Sequence, residues 1–99
     1  MFGKNMMEQM QKMQANAAET KNKLNEIVVH SEAGGNLVQV EMNGNRKLTK
    51  LTINAELNQI EKEDLEDLLS VALNRAIEEA DKTNEREMAN AAKGIIPGL

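Results

Sequence analysis

The sequence has no cysteine, no tryptophan and no tyrosine, and Phe2 is its single aromatic residue. Without cysteine there is no disulfide framework, no thiolate metal site and no cysteine nucleophile. Without aromatics, burial falls to Leu, Ile, Val, Ala and seven Met residues, and Met is a flexible gap-filler. No apolar run approaches the roughly 20 residues that span a bilayer. The amino terminus, Met1-Phe2-Gly3-Lys4-Asn5, carries no contiguous apolar signal region. These absences point to a cytoplasmic protein.

A chain of 99 residues reads as one domain, 1–99, that buries only about two-thirds of its unfolded surface. The core is therefore thin, and a second copy is the simplest way to complete it. The net charge of −4 weighs against nucleic acid as a partner, because non-specific affinity comes largely from Lys and Arg at phosphates. The distribution tempers this. Residues 1–26 carry four basic and three acidic groups, 27–60 three and three, and 61–99 five and ten.

From Lys4 to Asn25 there is neither Gly nor Pro, and Met6, Met10, Met13, Ala17, Thr20 and Leu24 recur at spacings of 4, 3, 4, 3 and 4. That period predicts an amphipathic helix within 1–25 with a narrow seam suited to packing on another helix. Ile27, Val28 and Val29 are a β-branched run that favours a strand. It ends at Gly34-Gly35, which supply the left-handed conformations of a tight turn. Next, Val38, Val40 and Met42 alternate with Gln39 and Glu41 as in a half-buried strand, and Asn43-Gly44-Asn45 starts a second turn. Leu51 and Ile53 share a face of a third strand. The centre, 26–54, is thus a three-stranded antiparallel meander.

A long helix over 61–93 opens on Glu61, Glu63 and Asp64, where acid complements the helix dipole. Its broad face of Leu65, Leu68, Leu69, Ala72, Leu73, Ala76, Ile77 and Ala80 is the part expected to cover the sheet. Gly94 and Pro97 stop it and leave a tail at 94–99. The expected fold class is α+β, in the order αβββα. At 1.5 Å per residue a second helix of some 30 residues is about 45 Å long and outreaches the sheet, so its distal part projects as an arm or meets a partner.

Catalysis finds little support. His30 is the only histidine and reads as an ordinary strand residue, while Ser31 and Ser70 sit in no nucleophile motif. Gly34-Gly35 lacks the spacing of a dinucleotide fingerprint and the Lys-Ser/Thr of a phosphate loop. Glu61, Glu63, Asp64, Glu66 and Asp67 follow helix spacing without the alternating loop ligands and central Gly of a calcium site. Met6, Met10 and Met13 have thioethers that suit reduced copper, but they fall at packing spacing. The first helix mixes Glu8 and Glu19 with Lys12 and Lys23, without the positive bias of a membrane-surface helix. No catalytic residue, metal, cofactor, small-molecule substrate or membrane contact is expected.

Two basic features remain. In Asn45-Arg46-Lys47-Leu48-Thr49-Lys50, three positive groups lie at a hairpin. On a helical wheel Arg75, Lys82, Arg86 and Lys93 fall within about 40° and form a stripe about 27 Å long. Such a stripe fits a phosphate backbone. The competing explanation is pairing with neighbouring acids, for example Glu78 with Lys82 in the favourable i,i+4 orientation. Lys12 and Lys23, which share a face of the first helix, extend the candidate surface.

The turn, strand and turn from Ala33 to Asn45, then Leu51-Thr52-Ile53-Asn54, Leu65-Glu66-Asp67-Leu68-Leu69, Ala72 and the closing Pro97-Gly98-Leu99 together resemble the YbaB/EbfC family of bacterial nucleoid-associated proteins. The opening Met1-Phe2-Gly3 before a Gln- and Met-rich helix resembles it too. The chain departs at Asn54-Ala55, where the family often has Asp-Pro, and in a Gly-rich start reduced to Gly3.

The resemblance implies a homodimer with a shared sheet region and helical arms. It also implies binding of double-stranded DNA with little or limited sequence preference, in the nucleoid, with effects on nucleoid organisation or gene expression. It transfers no catalytic motif and no strict residue signature for DNA contact. Arg75, Lys82, Arg86, Lys93, Arg46, Lys47, Lys50, Lys12 and Lys23 are candidates on charge. The alternative is a dimeric protein-interaction module whose acidic helices dock a partner and whose DNA contact is incidental, in keeping with a pI near 5.0.

Overall fold

The computed structural model describes residues 3–95. Their order is α1 (Gly3–Glu26), β1 (Val28–Ala33), β2 (Val38–Asn43), β3 (Leu48–Ile53) and α2 (Lys62–Ile95). This is the α+β arrangement expected from the patterning. The expected stop at Pro97 lies outside the described residues, and α2 continues through Gly94 to Ile95.

Alternation in β2 sorts its side chains cleanly: Val38, Val40 and Met42 are buried, while Gln39 is exposed. The three strands form one antiparallel sheet with β2 in the centre. The core consists of Ala33, Val38, Val40 and Met42 under Ala72, Ala76 and Ala80, with Val29, Leu65, Leu68, Leu69 and Leu73 packed around it. Alanine at three successive turns of α2 lets the helix lie close to the strands. The Ser31 hydroxyl then donates to the Ala72 carbonyl at 2.5 Å, and Arg75 Nη1 donates to the Glu32 carbonyl at 2.9 Å.

The helix covers only part of the sheet. In register, Val38 faces Ile53, Val40 faces Leu51 and Met42 faces Leu48, so the apolar residues of β3 lie on the face that α2 packs against. Yet α2 rests mainly on β1 and β2, leaving Leu48, Leu51 and Ile53 at 43%, 42% and 40% exposure. The broad apolar face of α2 therefore does not cover the whole meander.

Both turns use left-handed residues, in different ways. Gly34 and Gly35 have φ of 65° and 70°, as their pairing suggests. In the second turn the left-handed residue is Arg46, with φ of 67°. The Asn43 side chain supports it by accepting from the backbone N–H of Asn45 at 2.9 Å and of Lys47 at 3.0 Å. Gly44 serves close approach instead: its N–H donates to the carbonyls of Leu24 at 2.9 Å and Ile27 at 3.1 Å.

From that anchor α1 runs back along the distal half of α2. Leu24 and Thr20 are buried, whereas Met6, Met10 and Met13 are more than half exposed. The seam expected along the whole of α1 is thus covered at its carboxyl-terminal end only. The molecule is elongated, 70 × 21 × 18 Å, because 34 residues of α2 extend about 51 Å at 1.5 Å per residue, far beyond strands of six residues.

Candidate nucleic-acid interface

All nine basic residues singled out from the sequence lie at the surface. Their partners divide them. On α2, Arg75 is turned toward the sheet edge and ties the helix to β1 through the Glu32 carbonyl. Lys82 Nζ lies 3.5 Å from Glu79, one turn back, rather than pairing with Glu78. Arg86 Nε is 4.0 Å from Glu87, an electrostatic contact and not a hydrogen bond. Lys93, nearer the end of the arm, has no ion pair among the described residues.

At the hairpin, the guanidinium of Arg46 pairs with Asp81 of α2. Lys47 and Lys50 have no ion pair among the described residues. Lys50 belongs to the sheet face away from α2, directly across from Glu41. His30 shares that face, its Nδ1 3.7 Å from Glu41, too far for a hydrogen bond. These side chains, with Glu32, Gln39 and Thr52, border an open polar hollow.

On α1, Lys23 Nζ reaches across to Glu87 of α2 at 2.9 Å, while Lys12 has no ion pair among the described residues. The geometry also brings in Lys21, which pattern reading passed over. Asn45 Nδ2 donates to the Lys21 carbonyl at 2.9 Å and to Asn25 Oδ1 at 2.6 Å, joining the hairpin to α1. Lys21 thereby stands beside the Arg46-Lys47 turn. Its separation of 24 residues from Asn45 hid this, and the only signal in the sequence was an unassigned lysine in an otherwise polar stretch.

The arrangement is thus a long arm dotted with exposed cations, several leaning on nearby carboxylates, above a sheet with one apolar edge left open. Residues 2–95 match the sequence profile of the YbaB/EbfC DNA-binding family. This chain belongs to that family. It is 41% identical over 96 residues to a nucleoid-associated protein of Anaeromyxobacter dehalogenans, covering 95% of this chain and 93% of the relative. A nucleoid-associated protein of Acinetobacter baumannii is 40% identical over 100 residues, with 95% and 92% coverage. Among solved structures, an uncharacterized Helicobacter pylori protein superposes with a TM-score of 0.67 at 26% identity, covering 81% of this chain and 93% of the other.

Membership in the YbaB/EbfC family makes this a DNA-binding, nucleoid-associated type of protein rather than a member of an enzyme family. Among the described residues, no helix is long and apolar enough to cross a membrane.

Proposed function

We propose that the protein is a homodimer that binds double-stranded DNA in the nucleoid with little sequence preference, through basic groups aimed at backbone phosphates, and so affects nucleoid organisation or gene expression. The observation that carries this reading is the exposure of all nine candidate cations along a 70 Å molecule of a DNA-binding family. Phosphate contacts position a protein on DNA without reading bases, and no Phe, Tyr or Trp lies among the described residues to stack on bases. Dimerisation is supported by the apolar surface that one protomer leaves open at Leu48, Leu51 and Ile53. Two-fold symmetry repeats every basic patch and lets one dimer touch DNA in two places.

Lys12, Lys47, Lys50 and Lys93 are the readiest contacts, since none has to leave a carboxylate among the described residues. Changing all four to Ala should weaken binding to unrelated duplexes alike. Where each contacts a phosphate, it should flatten the dependence of log K on log salt by about 0.9 per lysine. The stripe set Arg75, Lys82, Arg86 and Lys93 provides the second arm of the salt titration. An interaction module is the second reading, favoured by the exposed acids Glu61, Glu63, Asp64, Glu66 and Asp67. Under that reading neither quadruple change moves the slope.

A further inference from the structure

Among the described residues, Glu87 is the only carboxylate that contacts two of the candidate cations, one from each helix of the arm. Its Oε2 lies 2.9 Å from Lys23 Nζ of α1 and its Oε1 4.0 Å from Arg86 Nε of α2. The glutamate side chain is only 12% exposed, whereas Lys23 and Arg86 are 64% and 63% exposed. The carboxylate is thus tucked between the helices with its cations on the outside.

The surroundings of Glu87 are largely polar. Glu87 borders a cleft of about 390 Å³ whose other walls are Asn16, Glu19, Thr20, Lys23, Asn90 and Ala91, and the buried residues nearby include Thr20 and Thr83. A covered carboxylate in such a seam is tolerable because it is paired. Two oxygens between an ammonium and a guanidinium are also what a DNA phosphate presents to the same groups.

We propose that Glu87 is an internal competitor of DNA, holding Lys23 and Arg86 in the uncomplexed protein until a phosphate displaces it and takes both cations. The proposal rests on the DNA reading above and deepens it. Both cations are exposed enough for a phosphate to reach them without parting the helices. The polar cleft leaves the displaced carboxylate room for water. The exchange leaves a largely covered carboxylate without its cations, a cost that water in the cleft reduces and the phosphate contacts must outweigh. Its effect is to make DNA binding weaker than the count of exposed cations implies.

The test measures duplex binding over a salt series by the full chain and by Glu87→Gln, Glu87→Asp and Glu85→Gln. Glu87→Gln keeps the shape and removes the charge. It should raise affinity roughly tenfold near 0.1 M salt at a nearly unchanged salt slope, because both proteins neutralise the same phosphate once DNA is bound. Glu87→Asp keeps the net charge but shortens the reach by one methylene, and should fall between wild type and Gln. Glu85 has no ion pair among the described residues, so Glu85→Gln changes net charge equally without freeing a cation and should leave affinity close to that of wild type.

Circular dichroism at the assay temperature checks that the helices persist, and if Gln disrupts them the Asp variant decides. The proposal is overturned if wild type binds DNA while the helical Glu87 variants match it in affinity, or if Glu85→Gln reproduces the gain. Should neither wild type nor any variant bind, the DNA reading falls and this inference with it. Binding by Glu87→Gln alone supports the competitor role.

Discussion

Gly44 has its role decided by a residue 20 positions earlier. In sequence, Asn43-Gly44 resembles a hairpin pair in which glycine supplies a left-handed conformation, yet Arg46 takes that conformation. What excludes a side chain at Gly44 is Leu24: an added Cβ would sit 2.7 Å from Leu24 Cδ2 and 3.0 Å from its carbonyl oxygen. The leucine methyl can swing away, but the carbonyl is fixed by the hydrogen bond it accepts from Gly44. Gly44→Ala should therefore lever α1 off the sheet and cost about 1–3 kcal/mol, as overpacking does. Urea unfolding checks this as a lower midpoint at unchanged slope; an unchanged midpoint would mean that α1 shifts freely. Gly34-Gly35 was legible because its demand is local. The roles of Gly44, Ser31 and Arg75 were not, because Ser31 and Arg75 find their partners 41 and 43 residues away and Gly44 finds its own across the joint between α1 and the sheet. Arg75 illustrates the consequence for the site: its charge and spacing placed it on the stripe, while its hydrogen bond makes it also a tie between α2 and β1.

At the scale of elements, α2 is two helices in one. Its first half carries leucines and alanines that pack on β1 and β2, and that half was legible because apolar periodicity names a buried face. Its second half carries Thr83, Asn84, Glu87 and Asn90, and a polar face does not announce its partner. The partner is the end of α1, held by Leu24, by Lys23 to Glu87 and by a buried Thr20. The methionine seam suggested packing along all of α1, but the cleft that α1 shares with α2 runs from Asn16 to Lys23, and Met6, Met10 and Met13 remain exposed at 52–56%. A helix segment without tertiary packing is marginal in water. Amide hydrogens from Met6 to Met13 should therefore exchange through local opening of no more than about 1–2 kcal/mol, whereas those around Ala72 to Ala80 should wait for global unfolding. Native-state hydrogen exchange reads both classes directly. Equal protection in the two segments would show that something covers the seam.

For the whole molecule, the open side of β3 matters most. Leu48, Leu51 and Ile53 align with the core strand but receive little of α2, and Ile77 on the helix is itself 40% exposed. An apolar strip along an edge strand is a surface that proteins normally cover, and a second copy placed on it by a two-fold axis buries the strip twice. Leu51→Lys tests this without attacking the protomer's own fold, because Leu51 is already 42% exposed. Covering the 42% of Leu51 that one protomer leaves exposed is worth about 0.6–1.3 kcal/mol of the roughly 1.5–3 for a whole leucine, and symmetry repeats the loss. The dimer dissociation constant should then rise by roughly one to two orders of magnitude, before any cost of burying the new ammonium. Sedimentation equilibrium at micromolar concentration should show the wild type as a dimer and Leu51→Lys as a helical monomer. A variant that remains dimeric at that concentration would place the interface elsewhere. DNA affinity should fall in parallel, since separated protomers lose the effective concentration that one bound arm gives the other. That fall should be steep on long duplexes and slight on a duplex too short to engage both protomers, a contrast that loss of a single phosphate contact would not produce.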